Sequence, residues 1–372
     1  MSGISSRLGD QRTLGDFVAF FASRGIACRV LSDESHLRVL RLIVSSRCGR
    51  GCHHPDGSAV WCHVEGITDR RQRPLEEILA VARWLRERTG IDRVKIAGLE
   101  PRSDETFVPF IGGLRSAGFK RISITTHDDA LLRHLEAYCA AGLTQLSVSI
   151  PHTEDAQFAR VTYSGTATGL LCLVRRAREL GMEPVKINRV LQRGATGDLS
   201  EVIDFVRRTG VTVKLFELMW TRAAGTHLAR FHLPWTDFAH LWMDDVEEVT
   251  LHHYPRSYRT RVCFSLKGGG GVEANIMDDK RRAEAVACHG CENSGVCAEG
   301  YLGCGVRVLP NLSVLPCLLR PELALDVSAA ATAPGSTLDS DLDELIAGRR
   351  MPPFASAADR RVIPLLSRKG IA

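Results

Sequence analysis

Cys48, Cys52 and Cys62 fall within one short stretch, LRVLRLIVSSRCGRGCHHPDGSAVWCHVEG, at residues 37–66. Their spacings are C-x3-C and C-x9-C. Thiolates are soft ligands. Three of them on one loop can hold a zinc ion with a fourth donor, or an iron–sulfur cluster that keeps one iron open for a small molecule. His53, His54 and His63 lie in the same loop and could complete a zinc site. A second group follows at Cys288, Cys291, Cys297, Cys304 and Cys317. Four of these five could bind a 4Fe–4S cluster, or Cys288, Cys291 and two others could form a zinc knuckle. Cys28, Cys139, Cys172 and Cys263 stand alone and read as small apolar residues.

Twelve cysteines are many for a chain of 372 residues, and eight of them sit in those two groups. Disulfide scaffolds are short and secreted, whereas this chain is long and lacks a signal-peptide pattern, so clustered thiols point to metal. No apolar run reaches the roughly 18 residues a membrane helix needs. A net charge of +5 is too modest for a nucleic-acid scaffold and suits a pocket for a small anion. The expected location is the cytoplasm.

The elements that must position these residues follow in order. Residues 1–36 form an N-terminal extension with one helix, started by a capping box at Thr13 and Asp16 and stopped at Gly25. From 37 to 220 strands and helices alternate. The strands are expected at 37–45, 94–97, 121–126, 145–150, 185–191 and 211–218, with helices ending at Gly90, Gly118, Gly142, Gly181 and Gly210. Six βα units in a row imply an α/β fold, a partial (βα)6 TIM-like barrel with its site at the C-terminal ends of the strands. The first cysteine group follows strand one and so lies on that face. Residues 221–327 hold the second cysteine group, preceded by two strands within 249–277 around a Gly268–Gly271 turn. Residues 328–372 read as a linker and tail, the segment 328–341 being rich in Ala, Ser, Thr and Pro.

The cysteine loop after strand one, followed by six βα units, resembles the radical S-adenosylmethionine (SAM) superfamily. The usual loop there is C-x3-C-x2-C, and this one is seven residues longer. The family's GGEP stretch appears as Gly98-Leu99-Glu100-Pro101. Thr125 and Thr126 stand where relatives carry TTNG, and Ser149 stands where relatives carry a SAM-holding serine. PVKIN at 184–188, Arg193-Gly194, FELM at 216–219 and Pro316-Cys317 are similar to the MoaA-like group, the GTP 3′,8-cyclases. The resemblance implies that Cys48, Cys52 and Cys62 hold a 4Fe–4S cluster that binds SAM. It implies that Gly98, Glu100, Thr125, Thr126, Ser149 and Asn188 hold SAM, Asn188 serving SAM or substrate. It also implies a second, auxiliary 4Fe–4S cluster on Cys288, Cys291, Cys297, Cys304 and Cys317.

By the same resemblance Arg93, Lys95, Lys186 and Arg193 fall where the group holds substrate phosphates, and Arg307 matches one arginine of its guanine-reading run. Gly305 replaces the other arginine, and the C-terminal double glycine is replaced by Gly370-Ile371-Ala372. Lys95 and Lys186 also stand out independently. Each lies in an apolar strand, VKIAG or VKINRV, where an amine is costly unless an anion or a carboxylate such as Glu100 or Glu217 meets it.

The expected function is that of a radical SAM enzyme. It would cleave SAM reductively and abstract hydrogen from a phosphorylated nucleoside to drive carbon–carbon bond formation or cyclisation, as in MoaA-like or octosyl acid phosphate synthase chemistry in nucleoside-antibiotic biosynthesis. No side chain is assigned as catalytic. The expected partners are a small-molecule nucleoside phosphate and an electron donor such as flavodoxin or ferredoxin, with no nucleic acid and no membrane. Two rivals remain: modification of a ribosomal peptide through a SPASM-type domain, and a non-catalytic zinc-binding barrel.

Overall fold

The structure is a computed structural model. It describes residues 8, 13–32, 39–45, 48, 50–54, 56–58, 71–98, 104–162, 165–218, 230–254, 259–277, 301–302, 305–331 and 338–347. Cys62, Glu100, Cys288, Cys291, Cys297 and Cys304 lie outside the described residues.

Alternation of apolar and polar residues builds the central sheet. In β2 (Leu40–Ile43), β3 (Arg93–Ala97), β4 (Arg121–Thr126), β5 (Gln145–Ser149), β6 (Val185–Leu191) and β7 (Thr212–Glu217), neighbouring strands run parallel. One face carries Val94, Ile96, Ile122, Ile124, Leu146, Val148, Ile187, Val213 and Leu215, all buried. Helices cover that face: α2 (Leu75–Thr89), α3 (Asp104–Ser116), α4 (Leu135–Ala141), α5 (Asp155–Phe158), α6 (Ala167–Glu179) and α7 (Ser200–Thr209). The longer ones bury an apolar stripe, such as Ile78, Val81, Ala82 and Leu85 in α2 or Val202, Ile203, Phe205 and Val206 in α7, whereas the four-residue α5 buries Phe158. Burying one such aliphatic or aromatic side chain contributes roughly 1.5–3 kcal/mol. The helices α2, α4 and α7 end on Gly90, Gly142 and Gly210 in the left-handed conformation, the cap that the sequence signals.

The architecture is an open, mostly parallel α/β sheet of the partial TIM-barrel kind. The first strand is shorter than expected, because beyond Ile43 the ladder continues with a single bond from Val44 N to Ala97 O. Two expected helices are broken in two. Asp128 caps a 3-10 turn at Asp129–Arg133 ahead of α4, and Thr166 caps α6 by accepting from Gly169 N.

The rest of the chain joins the same sheet. The segment expected to give two strands gives three: β8 (Val246–His253), β9 (Arg259–Leu266) and β10 (Gly271–Met277). β10 lies parallel to β7, so it extends the barrel sheet. β1 (Ala27–Ser32), absent from the sequence reading, pairs in parallel with β8. At the other edge β11 (Val306–Val308) pairs with β2, followed by β12 (Ser313–Leu315) and β13 (Leu325–Asp326). The order is β1-β8-β9-β10-β7-β6-β5-β4-β3-β2-β11-β12-β13. The N-terminal helix α1 (Leu14–Ala22) carries the expected capping box between Thr13 and Asp16 and buries Phe17, Phe20 and Phe21. In the stretch whose composition suggested a linker, Ser328–Ala331 forms a 3-10 turn and α8 (Leu338–Ile346) buries Leu342 and Leu345. Asp339 there accepts from Trp84 Nε1 at 3.1 Å.

Candidate active site

The cysteine loop leaves β2 at the C-terminal ends of the strands. Arg50, between Cys48 and Cys52, is buried to 4% exposure. Its Nη1 donates to Ser149 O at 2.9 Å, its Nη2 donates to His127 O, and its guanidinium lies 4.8 Å from the centre of the Phe158 ring. One side chain thus ties the loop to the ends of β4 and β5. Burial lowers the Arg50 pKa, opposed by the nearby Cys52 and Cys48. The Cys48 Sγ lies 3.4 Å from His127 Nε2. Burial, then Arg50, holds His127 down at about 4, so its ring is neutral at physiological pH.

Farther along, His53 N donates to Val161 O at 3.2 Å. His54 is buried, meets Gln192 Oε1 through Nδ1 at 2.7 Å, and stacks on Phe231 at 5.2 Å. Asp56 pairs with Arg230. The loop is therefore fastened to the ends of β4, β5 and β6. Among the described residues no three potential ligands converge on one point; the third loop cysteine, Cys62, lies outside them.

The SAM-associated positions divide. Gly98 has φ +75°, and a Cβ there would lie 2.2 Å from Ser45 O, so the backbone after β3 presses against the backbone after β2. That approach admits only glycine. Thr125 faces the polar side of the sheet, and its Oγ1 is buried with no hydrogen-bond partner among the described residues. Ser149 and Asn188 are side by side in the register of β5 and β6. Thr126 does not join them. It is buried, and its hydroxyl accepts from Asp128 N at 3.0 Å, which is local turn chemistry.

The basic positions also divide. Lys95 lies mid-strand on the polar face, in register with Arg41 and Ser123. Arg93 opens β3 at the opposite strand end from the cysteine loop and is exposed. Arg193 is exposed and donates to His232 O at 3.4 Å. Arg307 is buried on β11 between Arg41 and Leu315, far along the sheet edge from Lys186. Cys317 is buried just past β12, where Pro316 O accepts from Leu302 N at 2.9 Å.

Lys186 is already partnered, and its partner is not Glu217; Glu100 lies outside the described residues. Lys186 Nζ reaches across β7 to Glu273 on β10, the two side chains being 19% and 9% exposed. Glu217 instead receives Trp235 N and meets His232 Nε2 at 3.0 Å. Burial alone would raise the Glu273 pKa, but Lys186, Arg261 and Lys214 outweigh it and hold the carboxyl at about 2. Burial followed by Arg261 pushes His252 down to about 4, and burial followed by Glu273 pushes Cys263 up to about 11. Sequence reasoning missed Arg50, His127, Lys214, Arg261 and Glu273. Arg50 carried a signal, an arginine inside a C-x3-C loop; Glu273 carried another, a lone acid in the apolar strand GVEANIM.

A polar sheet face with a pinned cysteine loop at its strand ends is an arrangement, on an open α/β barrel sheet, that could hold a cofactor. Residues 42–206 match the family model described as the radical SAM superfamily, and the chain resembles the MoaA-like group of that superfamily. It is 24% identical over 297 residues to a probable GTP 3′,8-cyclase of Methanothermobacter thermautotrophicus, covering 78% of this chain and 87% of the relative. It is 28% identical over 294 residues to the GTP 3′,8-cyclase of Listeria monocytogenes, covering 76% and 83%. A solved FeFe-hydrogenase maturase from Carboxydothermus hydrogenoformans superposes with a TM-score of 0.42 at 16% identity, over 64% of this chain and 57% of that one.

The family implies a 4Fe–4S cluster and SAM. The described residues fit both: two thiols on one fastened loop, a glycine that brings two backbones together, and a buried hydroxyl still lacking a partner. Among the described residues no helix is long and apolar enough to cross a membrane.

Proposed function

We propose that this protein abstracts hydrogen from a phosphorylated nucleoside and directs the resulting substrate radical to carbon–carbon bond formation or cyclisation. The observation that carries the reading is the cysteine loop fastened by Arg50 to the ends of β4 and β5, with a Thr125 hydroxyl at the end of β4 that has no partner among the described residues. Cys48, Cys52 and Cys62 would hold the cluster. Gly98, Glu100, Thr125, Ser149 and Asn188 would hold SAM, with Thr126 supporting the turn after β4. When bound, these cofactors supply a 5′-deoxyadenosyl radical able to remove hydrogen from an unactivated carbon. The chain's own work is to position and to shield. Arg50 fixes the loop, and the packed helix side of the sheet keeps water from that face of the reacting centre.

The relatives are named as cyclases of GTP, and that supports a nucleotide substrate here. The phosphate would lie on the polar face near Lys95 and Lys186, with Lys214 and Arg261 on neighbouring strands. Arg93, Arg193 and Arg307 lie away from that group and would act at the rim or in the fold. Cys288, Cys291, Cys297, Cys304 and Cys317 would hold an auxiliary cluster, and a flavodoxin or ferredoxin in the cytoplasm would supply the electron.

The test is anaerobic reconstitution with iron, sulfide, SAM and dithionite, followed by a screen of nucleosides and nucleotides for 5′-deoxyadenosine release. Stimulation by a phosphorylated nucleoside, abolished in Cys48→Ala, is the expected result. Equal stimulation by the dephosphorylated nucleoside would refute the phosphate reading. Iron and sulfide stoichiometry separates one cluster from two, and zinc in place of iron would refute the cluster assignment.

A further inference from the structure

Glu273 is the anomaly of the polar face. Three cations surround it: Lys214 is its register partner on β7, Lys186 reaches it from β6, and Arg261 sits on β9 opposite Asn275, two residues along β10. A carboxylate inside such a group subtracts one positive charge from what the face offers an incoming anion. Removing it from Lys186 would leave a buried charge unpaired, which is costly. Protonation offers no escape, because the surrounding cations hold the carboxyl ionised. Glu273 Oε2 is buried and without a hydrogen-bond partner among the described residues, so the charge on that oxygen is offset by no hydrogen bond of its own. A polyphosphate entering here would bring several negative charges close to a fixed one. A single phosphate monoester would bring fewer and could use the Lys214 and Arg261 side.

We propose that Glu273 is a specificity-determining residue that limits the charge of the bound anion, so that the enzyme takes a nucleoside monophosphate in preference to the triphosphate. The proposal deepens the phosphorylated-nucleoside reading and rests on it for the nucleoside part.

The experiment is titration calorimetry of the reconstituted full-length protein with UMP, UTP, GMP and GTP, in parallel with inorganic phosphate and tripolyphosphate. The proteins are the parent, Glu273→Gln and Glu273→Asp. The parent should bind the monophosphate of a pair more tightly. Glu273→Gln, which keeps the shape and removes the charge, should move the preference toward the triphosphate by about tenfold, the scale of one like charge removed at close range. Glu273→Asp, which keeps the charge, should retain the parent's preference, and a single cooperative melting transition above the assay temperature in both variants would show that the fold is intact. A parent that prefers the triphosphate, or a ratio unmoved by Glu273→Gln, overturns the proposal. If no nucleotide binds, the nucleoside reading falls while the phosphate and tripolyphosphate titrations still decide the role of Glu273. Absence of binding by both inorganic ions overturns it as well.

Discussion

Gly98 and Ser45 stand so close that a methyl group on the first would overlap the carbonyl oxygen of the second, at 2.2 Å. The contact joins the loop after β3 to the start of the cysteine loop. With φ at +75°, alanine at 98 meets both a steric and a backbone penalty. Gly98→Ala is expected to lose about 2 kcal/mol of stability in urea unfolding and to lower SAM affinity in equilibrium dialysis. Full stability in that variant would show that the two backbones can separate.

Lys186 and Glu273 form a coupled pair, so their substitutions should not add. Lys186→Met leaves Glu273 short of its nearest cation and is expected to cost roughly 1–3 kcal/mol. The double variant Lys186→Met, Glu273→Gln should recover most of that loss, because no uncompensated carboxylate remains. A double-mutant cycle by chemical denaturation measures the coupling; strict additivity would mean that the pair does not form in solution.

Acid should weaken the fold in two stages. His252 takes its proton near 6.5 when unfolded and near 4 when folded. The unfolded chain therefore binds more protons between those values, and stability falls as pH drops through that window. Glu273 is held at about 2 against an ordinary 4.5. Its contribution is complete above 4.5 and is lost as pH falls from there through about 2. Urea midpoints at about pH 7 and about pH 4 should differ less in His252→Asn than in the parent. An equal difference would remove His252 from the account.

Thiol reactivity should separate the isolated cysteines. Cys172 is exposed, whereas burial and then Glu273 push Cys263 up to about 11. Maleimide labelling of the native protein at neutral pH, read by peptide mass spectrometry, should modify Cys172 and spare Cys263 until the chain unfolds. Rapid native labelling of Cys263 would contradict its position in the sheet.

The barrel was legible because its signals are local. Alternating Val94, Lys95 and Ile96, or the run from Val185 to Leu191, announces a strand, and Gly90 and Gly210 announce the ends of helices. The first loop carried a signal because cysteines so spaced have few uses. The partner of Lys186 was not legible. Glu273 is 87 residues away in sequence, and it becomes a neighbour only because β10 docks beside β7 rather than forming a separate hairpin. β1 was missed for a related reason. ACRVLS is short and largely exposed, and its one strand partner among the described residues, β8, lies more than two hundred residues downstream. Thr126 stands apart from Thr125 because adjacent strand residues point to opposite faces, which a motif match does not reveal.

The pairing of β11 with β2 has a practical result for anyone wishing to dissect this chain. The strand that launches the cysteine loop borrows its outer neighbour from residues 306–308, while Gly305 sits so tightly against Val39 that a Cβ would lie 2.2 Å from its carbonyl oxygen. A fragment cut after residue 277 would strip the hydrogen-bonding rim from that strand and leave a raw edge prone to sticking to other molecules. The sheet and the segment from 305 to 308 are thus not separable cassettes, and swapping that segment between homologues would disturb the footing of β2.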